Sequence, residues 1–289
     1  MTSKDFRVGI HVGSGKSLIA AAQDYVERCG IECLQIFSGN PNGWVNKPID
    51  TQIAEEYKQW RQRNDIGPLV IHTCYLINMA GPKPDFREKS LANLVDQMNR
   101  AYLMGAEFVV THVGSHMGEG QEKGIARVCE MAEAVLEASP EGPVFLFEGA
   151  SGQGNHIGNT FEDLAAIMQG LVKYRGRLGI CLDSAHVFAA GYDISSESAV
   201  KKTLDAFDEI VGLEHLKVWH ANDTEQGLGS KKDRHAHVAK GNVGEAGFIA
   251  LMQRLGPLGI PFIAETPVKS PEDEIMNVNK LKELRSRAG

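Results

Sequence analysis

The chain has 289 residues, 43% of them hydrophobic and 23% charged, which is the composition of an ordinary soluble protein with enough length to bury a large core. The opening MTSKDF has no apolar signal core and no apolar run approaches a membrane span, so a cytoplasmic protein without a membrane partner is expected. Five cysteines (Cys29, Cys33, Cys74, Cys129 and Cys181) without a CxxC argue against a disulfide framework and a thiolate zinc site, whereas the net charge of −7 decides little because bound dications would neutralise part of it.

Residues 6–11 read as an apolar strand ending in His11, followed by a Gly-rich turn and a helix over 17–29. The turn GSGKS at 13–17 is not a phosphate loop, since Ile10 stands where that motif needs a glycine. Lys16 reads as a solvated charge at a helix opening, with a phosphate contact as the alternative. A second strand over 33–37 leads through SGNPNGW to a helix over 50–63. The third strand, 68–72, ends in His72, and a helix over 89–104 precedes a fourth strand, 108–112, that ends in His112. A helix over 125–138 leads to a fifth strand, 144–148, ending in Glu148.

After a helix over 161–172 comes the apolar run 178–182, closed by Asp183, with His186 three positions on in a Gly-containing loop. Taken alone, that Asp and His read best as a turn cap. A helix over 198–211 precedes strand 216–220, which ends in His220. The polar loop 221–242 carries Asp233 and His235, a helix spans 245–254, strand 262–265 ends in Glu265, and a charged helix closes the chain.

Eight strands alternating with eight helices, with no linker between them, point to a parallel sheet. The count of eight, the length and the lack of a Gly-x-Gly-x-x-Gly turn favour a single (β/α)8 TIM-barrel domain over 1–289 rather than an open doubly wound sheet. Such barrels carry their active sites at the C-terminal ends of the strands. His72, His112, Glu148, Asp183, His220 and Glu265 would therefore converge on one mouth, joined from the loops by His186, Asp233 and His235. Five imidazoles and four carboxylates suit zinc or manganese better than magnesium or calcium. At roughly three or four protein ligands per catalytic metal, nine ligands fit a cluster of two or three ions.

Several motifs follow one another in order: H-x-x-YLIN at 72–78, H-x-GSH at 112–116, E-x-x-x-GQG at 148–154, D-x-x-H-x-FAAGYD at 183–193, H-x-ND at 220–223, GSKKDRH at 229–235 and ET at 265–266. Through them the sequence resembles the endonuclease IV family of apurinic/apyrimidinic (AP) endonucleases over nearly its whole length. The resemblance implies a (β/α)8 barrel with three Zn2+ per chain, Mn2+ being acceptable in some positions. His72 and His112 would bind one ion and Glu148 would bridge it to a second, which Asp183, His220 and Glu265 also hold. His186, Asp233 and His235 would hold the third.

The implied activity is hydrolysis of the phosphodiester 5′ to an abasic site in double-stranded DNA, leaving a 3′-hydroxyl, as a step of base excision repair by a monomer. Tyr75 and Leu76 would then enter the duplex as a wedge, though an exposed pair at a barrel rim is also ordinary packing. Lys231, Lys232 and Arg234 would contact phosphates; elsewhere such a run is a solvated face.

The chain departs from the family pattern at Val113, Gly149, Ser184 and Ala185, all beside ligands. It also has Gly39 and Asn42 where the family commonly carries a Lys and an Arg against DNA, and Ala239 and Lys240 where Gly and Glu are usual. His11 is expected beside the ligands rather than among them; His116, His156, His215 and His237 have weaker claims, and Trp44 is expected to anchor its loop. The rival readings are a metal-dependent sugar isomerase or epimerase on a similar barrel, and a non-catalytic metal-dependent protein that binds damaged DNA.

Overall fold

A computed structural model describes residues 6–13 and 17–289; Lys16 and the centre of its Gly-rich turn lie outside them. Eight parallel strands close on themselves in chain order: β1 (Val8–His11), β2 (Cys33–Phe37), β3 (Leu69–His72), β4 (Phe108–His112), β5 (Val144–Glu148), β6 (Leu178–Asp183), β7 (Leu216–His220) and β8 (Phe262–Ala264). The α-helices of the described residues are α1 (Leu18–Cys29), α2 (Thr51–Arg63), α3 (Pro84–Met104), α4 (Gln121–Ala138), α5 (Phe161–Gly170), α6 (Ser184–Ala190), α7 (Glu197–Ile210), α8 (Gly244–Leu255) and α9 (Pro271–Ala288). None of them is long and apolar enough to cross a membrane.

Successive side chains of a strand point to opposite faces, and here that alternation separates two apolar layers. Leu34, Ile36, Leu69, Ile71 and Val109 face outward and pack with helix residues such as Leu94, Met98, Leu204, Phe248 and Leu281. Cys33, Val70, Val110, Leu146, Cys181, Val218 and Ile263 form a separate plug inside the barrel. Gly9 pairs with Cys33 at this level, and a Cβ on Gly9 would lie 2.0 Å from the Cys33 carbonyl oxygen, so no side chain fits there. Two residues beyond each member of the plug, on the same face, stand Gln35, His72, His112, Glu148, Asp183, His220 and Glu265. The strand pattern that fills the core thus delivers the polar groups to the mouth.

The helices start where capping chemistry permits. Ser17, Asp50, Thr160 and Ser196 each accept a hydrogen bond from a first-turn backbone N–H, and Ser270 with Asp273 forms a capping box ahead of α9. Each such cap stabilises its helix by about 1 kcal/mol.

The structure departs from the sequence expectation in the number of helices and at the bounds of several elements. Nine α-helices occur among the described residues rather than eight, because α6 follows β6 directly where a loop was expected. Helix α3 begins at Pro84, earlier than the apolar period indicates, because proline at the first helical position needs no N–H partner. Strand β8 stops at Ala264, since the Glu265 N–H donates to the Asn222 side chain instead of the ladder. β6 and β7 shift register between Ile180 and Cys181: Leu216 pairs with Ile180, and Val218 pairs with Cys181. Lys217 is the extra residue of a bulge, and the bulge turns Val218 and His220 inward although Leu216 faces out.

Candidate metal centre

The C-terminal mouth holds a cavity of about 360 Å³ walled by His72, His112, Glu148, His186, Asp233, His235 and Glu265. Glu148 lies at its centre. One carboxylate oxygen is 3.2 Å from His72 Nε2 and 3.3 Å from His112 Nδ1, and the other is 3.2 Å from His220 Nδ1 and 3.5 Å from His186 Nδ1. His220 Nδ1 is also 3.1 Å from Glu265. On the far side, Asp233 lies 3.2 Å from His186 Nε2 and 3.3 Å from His235 Nε2, while Asp183 is 3.5 Å from His235 Nε2.

All nine residues expected at the mouth are therefore brought together, in overlapping groups. His72, His112 and Glu148 offer donor atoms within 4.8 Å of one another; so do Glu148, Asp183, His220 and Glu265, and so do Asp183, His186 and His235. Glu148 is common to the first two groups. Asp183 is common to the last two, which the family resemblance keeps apart, and Asp233 approaches the third group from the rim.

Backbone geometry sets the imidazole tautomers. His72 Nδ1 is 2.8 Å from the Thr73 carbonyl, His186 Nδ1 is 2.9 Å from the Gly149 carbonyl, and His235 Nδ1 is 3.2 Å from the Glu265 carbonyl. A carbonyl oxygen only accepts, so each Nδ1 carries the proton and each Nε2 turns its lone pair into the cavity. There it meets carboxylate oxygens, which also only accept. The buried Nε2 atoms of His186 and His235 have no hydrogen-bond partner. Either a proton or a cation must stand between such groups, and this donor set suits a divalent cation held by nitrogen and oxygen.

Without a cation the protons respond strongly. Burial disfavours a charged ring at His186, but Asp183, Asp233 and Glu148 outweigh it and hold the pKa well above the ordinary 6.5. His220 behaves alike, with Cys181, Glu265 and Glu148 outweighing burial, and His235 is pushed up to about 9 by Asp183 and Asp233 against its own burial. Burial would raise Glu148 and Glu265, yet the surrounding imidazoles hold both well below the usual carboxylate range. His112 is the exception, since burial there exceeds the pull of Glu148 and lowers its pKa.

Asp183 combines two of the roles open to it. Its Oδ1 caps α6, accepting from the N–H groups of Ala185 (2.6 Å) and His186 (3.2 Å), and its Oδ2 faces His235 Nε2. The cap thereby aims His186, the third residue of α6.

Two residues that sequence reasoning does not single out orient the donors. Asn222 donates to Asp183 Oδ2 at 2.6 Å and accepts from the Glu265 N–H at 2.7 Å. Gln35, fully buried, accepts from His220 Nε2 at 2.8 Å while its amide nitrogen contacts His11 Nδ1 at 3.0 Å and donates to Glu265. A polar residue on the inward period of β2 was the available signal for Gln35. Ser184, one of the departures, donates to the carbonyls of His220 and Asn222 and ties α6 to the end of β7.

At the rim Tyr75 is 59% and Leu76 36% exposed, and the Tyr75 ring packs against Phe37 and His72. The basic run divides. Lys231 lies toward Gly152, whereas Lys232 and Arg234 line a different cavity beside His235. Trp44 meets Phe86 edge-on, and its carbonyl accepts from Asn93, so it anchors its loop. His11 also lines the cavity, 3.8 Å from Glu265, but belongs to none of the three donor groups. His116 accepts from the Gly120 N–H, His215 contacts Arg175 and His237 contacts Asn277, all outside the cluster. His156 forms a backbone bridge with Ser115.

Comparison with known proteins gives consistent matches. A family model described as a xylose isomerase-like TIM barrel matches residues 23–284. A protein named probable endonuclease 4 from Natranaerobius thermophilus is 41% identical over 287 residues, 97% of this chain and 98% of its own. The crystal structure of endonuclease IV from Thermus thermophilus superposes with a TM-score of 0.85 at 34% identity, covering 97% of this chain and 99% of that one. A D-tagatose 3-epimerase-like protein, at 18% identity and a TM-score of 0.73 over 98% of each chain, shares the fold alone.

Proposed function

The chain belongs to the endonuclease IV family, and from that premise we infer that it is an AP endonuclease of base excision repair, a hydrolase of DNA whose metal centre is the cluster at the barrel mouth. The observation that carries the assignment of the centre is the linked set of donor groups in which Glu148 and Asp183 are each shared.

In this reading His72, His112 and Glu148 would hold one ion, Glu148, Asp183, His220 and Glu265 a second, and His186, His235 and Asp233 a third. Zinc fits best, because five imidazoles and four carboxylates offer mixed nitrogen and oxygen donors; manganese is the alternative. Three dications against four carboxylates leave the site positive, as an anionic phosphodiester requires. Bound there, such ions supply Lewis acidity toward phosphoryl oxygens and lower the pKa of water near the scissile bond.

The remaining work belongs to the chain. Glu148 keeps its carboxylate charged in a fully buried position, and the Thr73, Gly149 and Glu265 carbonyls hold the imidazoles of His72, His186 and His235 in the metal-accepting tautomer. Tyr75 and Leu76, exposed at the rim, would probe a duplex for a missing base, since an abasic step has one base fewer to unstack. All nine donors come from one chain, which supports action as a monomer. Five free cysteines suit a reducing cytoplasm.

Incubation with a duplex containing one abasic site tests the reading. A nick 5′ to the lesion that chelation abolishes is expected, whereas binding without a nick would favour a damage-binding protein, and neither outcome would favour a sugar epimerase. Alanine at both Tyr75 and Leu76 should reduce the preference for abasic over intact duplex in anisotropy titrations while metal content stays unchanged. Unchanged preference would reduce the pair to rim packing.

A further inference from the structure

We propose that Lys240 and Lys269, beside the Lys232 and Arg234 that the resemblance already puts against phosphates, complete a cationic groove between the β7–α8 and β8–α9 loops that binds backbone phosphates of the DNA and replaces the anchoring that the loop after β2 lacks; the proposal rests on the DNA-cleaving function inferred above. The groove has a volume of about 620 Å³, and Lys232, Arg234, Lys240, Lys269 and His237 line it, with Glu225 as the one carboxylate of the wall. His235 belongs both to this wall and to the wall of the metal cavity, so the two spaces adjoin.

The cations of the groove are free. Among the described residues none of Lys232, Arg234, Lys240 and Lys269 has a carboxylate oxygen within ion-pair distance, whereas Arg28, Arg87, Arg127 and Arg285 on the outer surface are each paired. Four cations without a paired carboxylate in one concavity, in a chain of net charge −7, concentrate positive charge beside the metal cavity. An internal ion-pair network would have its partners.

The loop is also built to hold this shape. Buried Asp223 accepts from the N–H groups of Gly241, Val243 and Gly244, which fixes the chain just beyond Lys240. Ala239 holds the left-handed conformation, with φ of 58°, where the family resemblance calls for Gly, and it is followed by Lys240 where Glu is usual. On the opposite side of the chain order, Gly39 and Asn42 leave the β2 loop without the two cations expected there. Charge absent from one loop is present on another beside the same mouth.

The occupant that fits is a phosphodiester backbone. Contacts to phosphate carry no lesion information, so their loss must weaken intact and abasic duplexes alike and reduce the salt dependence of binding. The test compares the parent with Lys240→Gln/Lys269→Gln by anisotropy titration of both duplexes over a range of salt. Both side chains are exposed and make no side-chain hydrogen bond, so the variant keeps its fold, checked by circular dichroism. Arg63→Gln, in the last turn of α2 at the opposite end of the barrel, is the control.

The double variant should lower the slope of log affinity against log salt by about two units on both duplexes. The control should not change it. An unchanged slope in the double variant, or an equal fall in the control, would overturn the groove. Nicking by the parent is scored separately, so failure of the enzymatic reading and failure of the groove give different results.

Discussion

Glu148 is the residue most heavily used in the molecule, since four imidazoles lie within 3.5 Å of its two oxygens. Glu148→Gln keeps its shape but removes the charge that those groups share. It should abolish nicking and lower metal content while the far-UV circular dichroism stays that of the parent. His116→Ala should leave both readouts intact, because the His116 side chain accepts from the Gly120 N–H in its own loop and belongs to none of the donor groups; equal loss in the two variants would mean that the ligands are misassigned. The protons make a second, independent prediction. In metal-free protein the raised pKa values of His186, His220 and His235 contribute stability that is fully present below the ordinary 6.5 and is lost as pH rises, for His235 through about 9. Glu148 and Glu265, held low, contribute stability above the ordinary 4.5 that is lost as pH falls into the acid range. Zinc added at pH 7 must therefore displace protons from His186, His220 and His235. Titration calorimetry in two buffers of different ionisation enthalpy should give different apparent heats, and identical heats would show that these imidazoles were already neutral.

At the scale of the element, the seam between β6 and β7 governs whether His220 reaches the site. The bulge at Lys217 lies over Gly179, where an added Cβ would sit 2.7 Å from the Lys217 side chain and 3.0 Å from the His215 carbonyl. Gly179→Val should cost about 1–3 kcal/mol by overpacking and should weaken metal retention through β7. Gly176→Ala, with open space around it, should do neither, and denaturant titration with metal analysis would separate the two. A Gly179→Val protein as stable as the parent would mean that the seam has slack. This seam also marks how far the sequence could be read. His72, His112, Glu148 and Asp183 were legible because each ends an apolar run, and the inward period then carries each to the mouth. His220 was named for the mouth by the same strand-end rule, but the bulge that carries it there was not legible, since the alternation counted from outward-facing Leu216 points it outward and nothing in LKVWH signals the extra residue. Helix α6 was hidden for a related reason: residues 184–189 are all buried, and a helix covered all round has no amphipathic period. Gln35 and Asn222 went unseen because a neutral amide in a strand or loop looks like ordinary polarity until its partners are known.

Across the whole molecule, one barrel supports every donor, and we propose that the 289 residues unfold as one domain. Thermal unfolding should be a single transition, and chelation should lower its midpoint, because ions that bind only the folded state stabilise it and because removing them leaves four carboxylates and five imidazoles crowded together. The shift should be about 5 °C or more for ions held at a hundred times their dissociation constant. Two separate transitions would contradict the single domain, and an unchanged midpoint would contradict resident metal. The placement of His235 has a further consequence. One imidazole is a wall of both the metal cavity and the cationic groove, so whatever settles it on one side alters what the other side offers. Binding free energies are reciprocal: if the ions tighten the grip on DNA, DNA must tighten the grip on the ions by the same factor. An intact duplex, which offers nothing to cut, should then slow the escape of zinc to a chelator, and the protein would hold its metal most firmly while it is travelling along DNA.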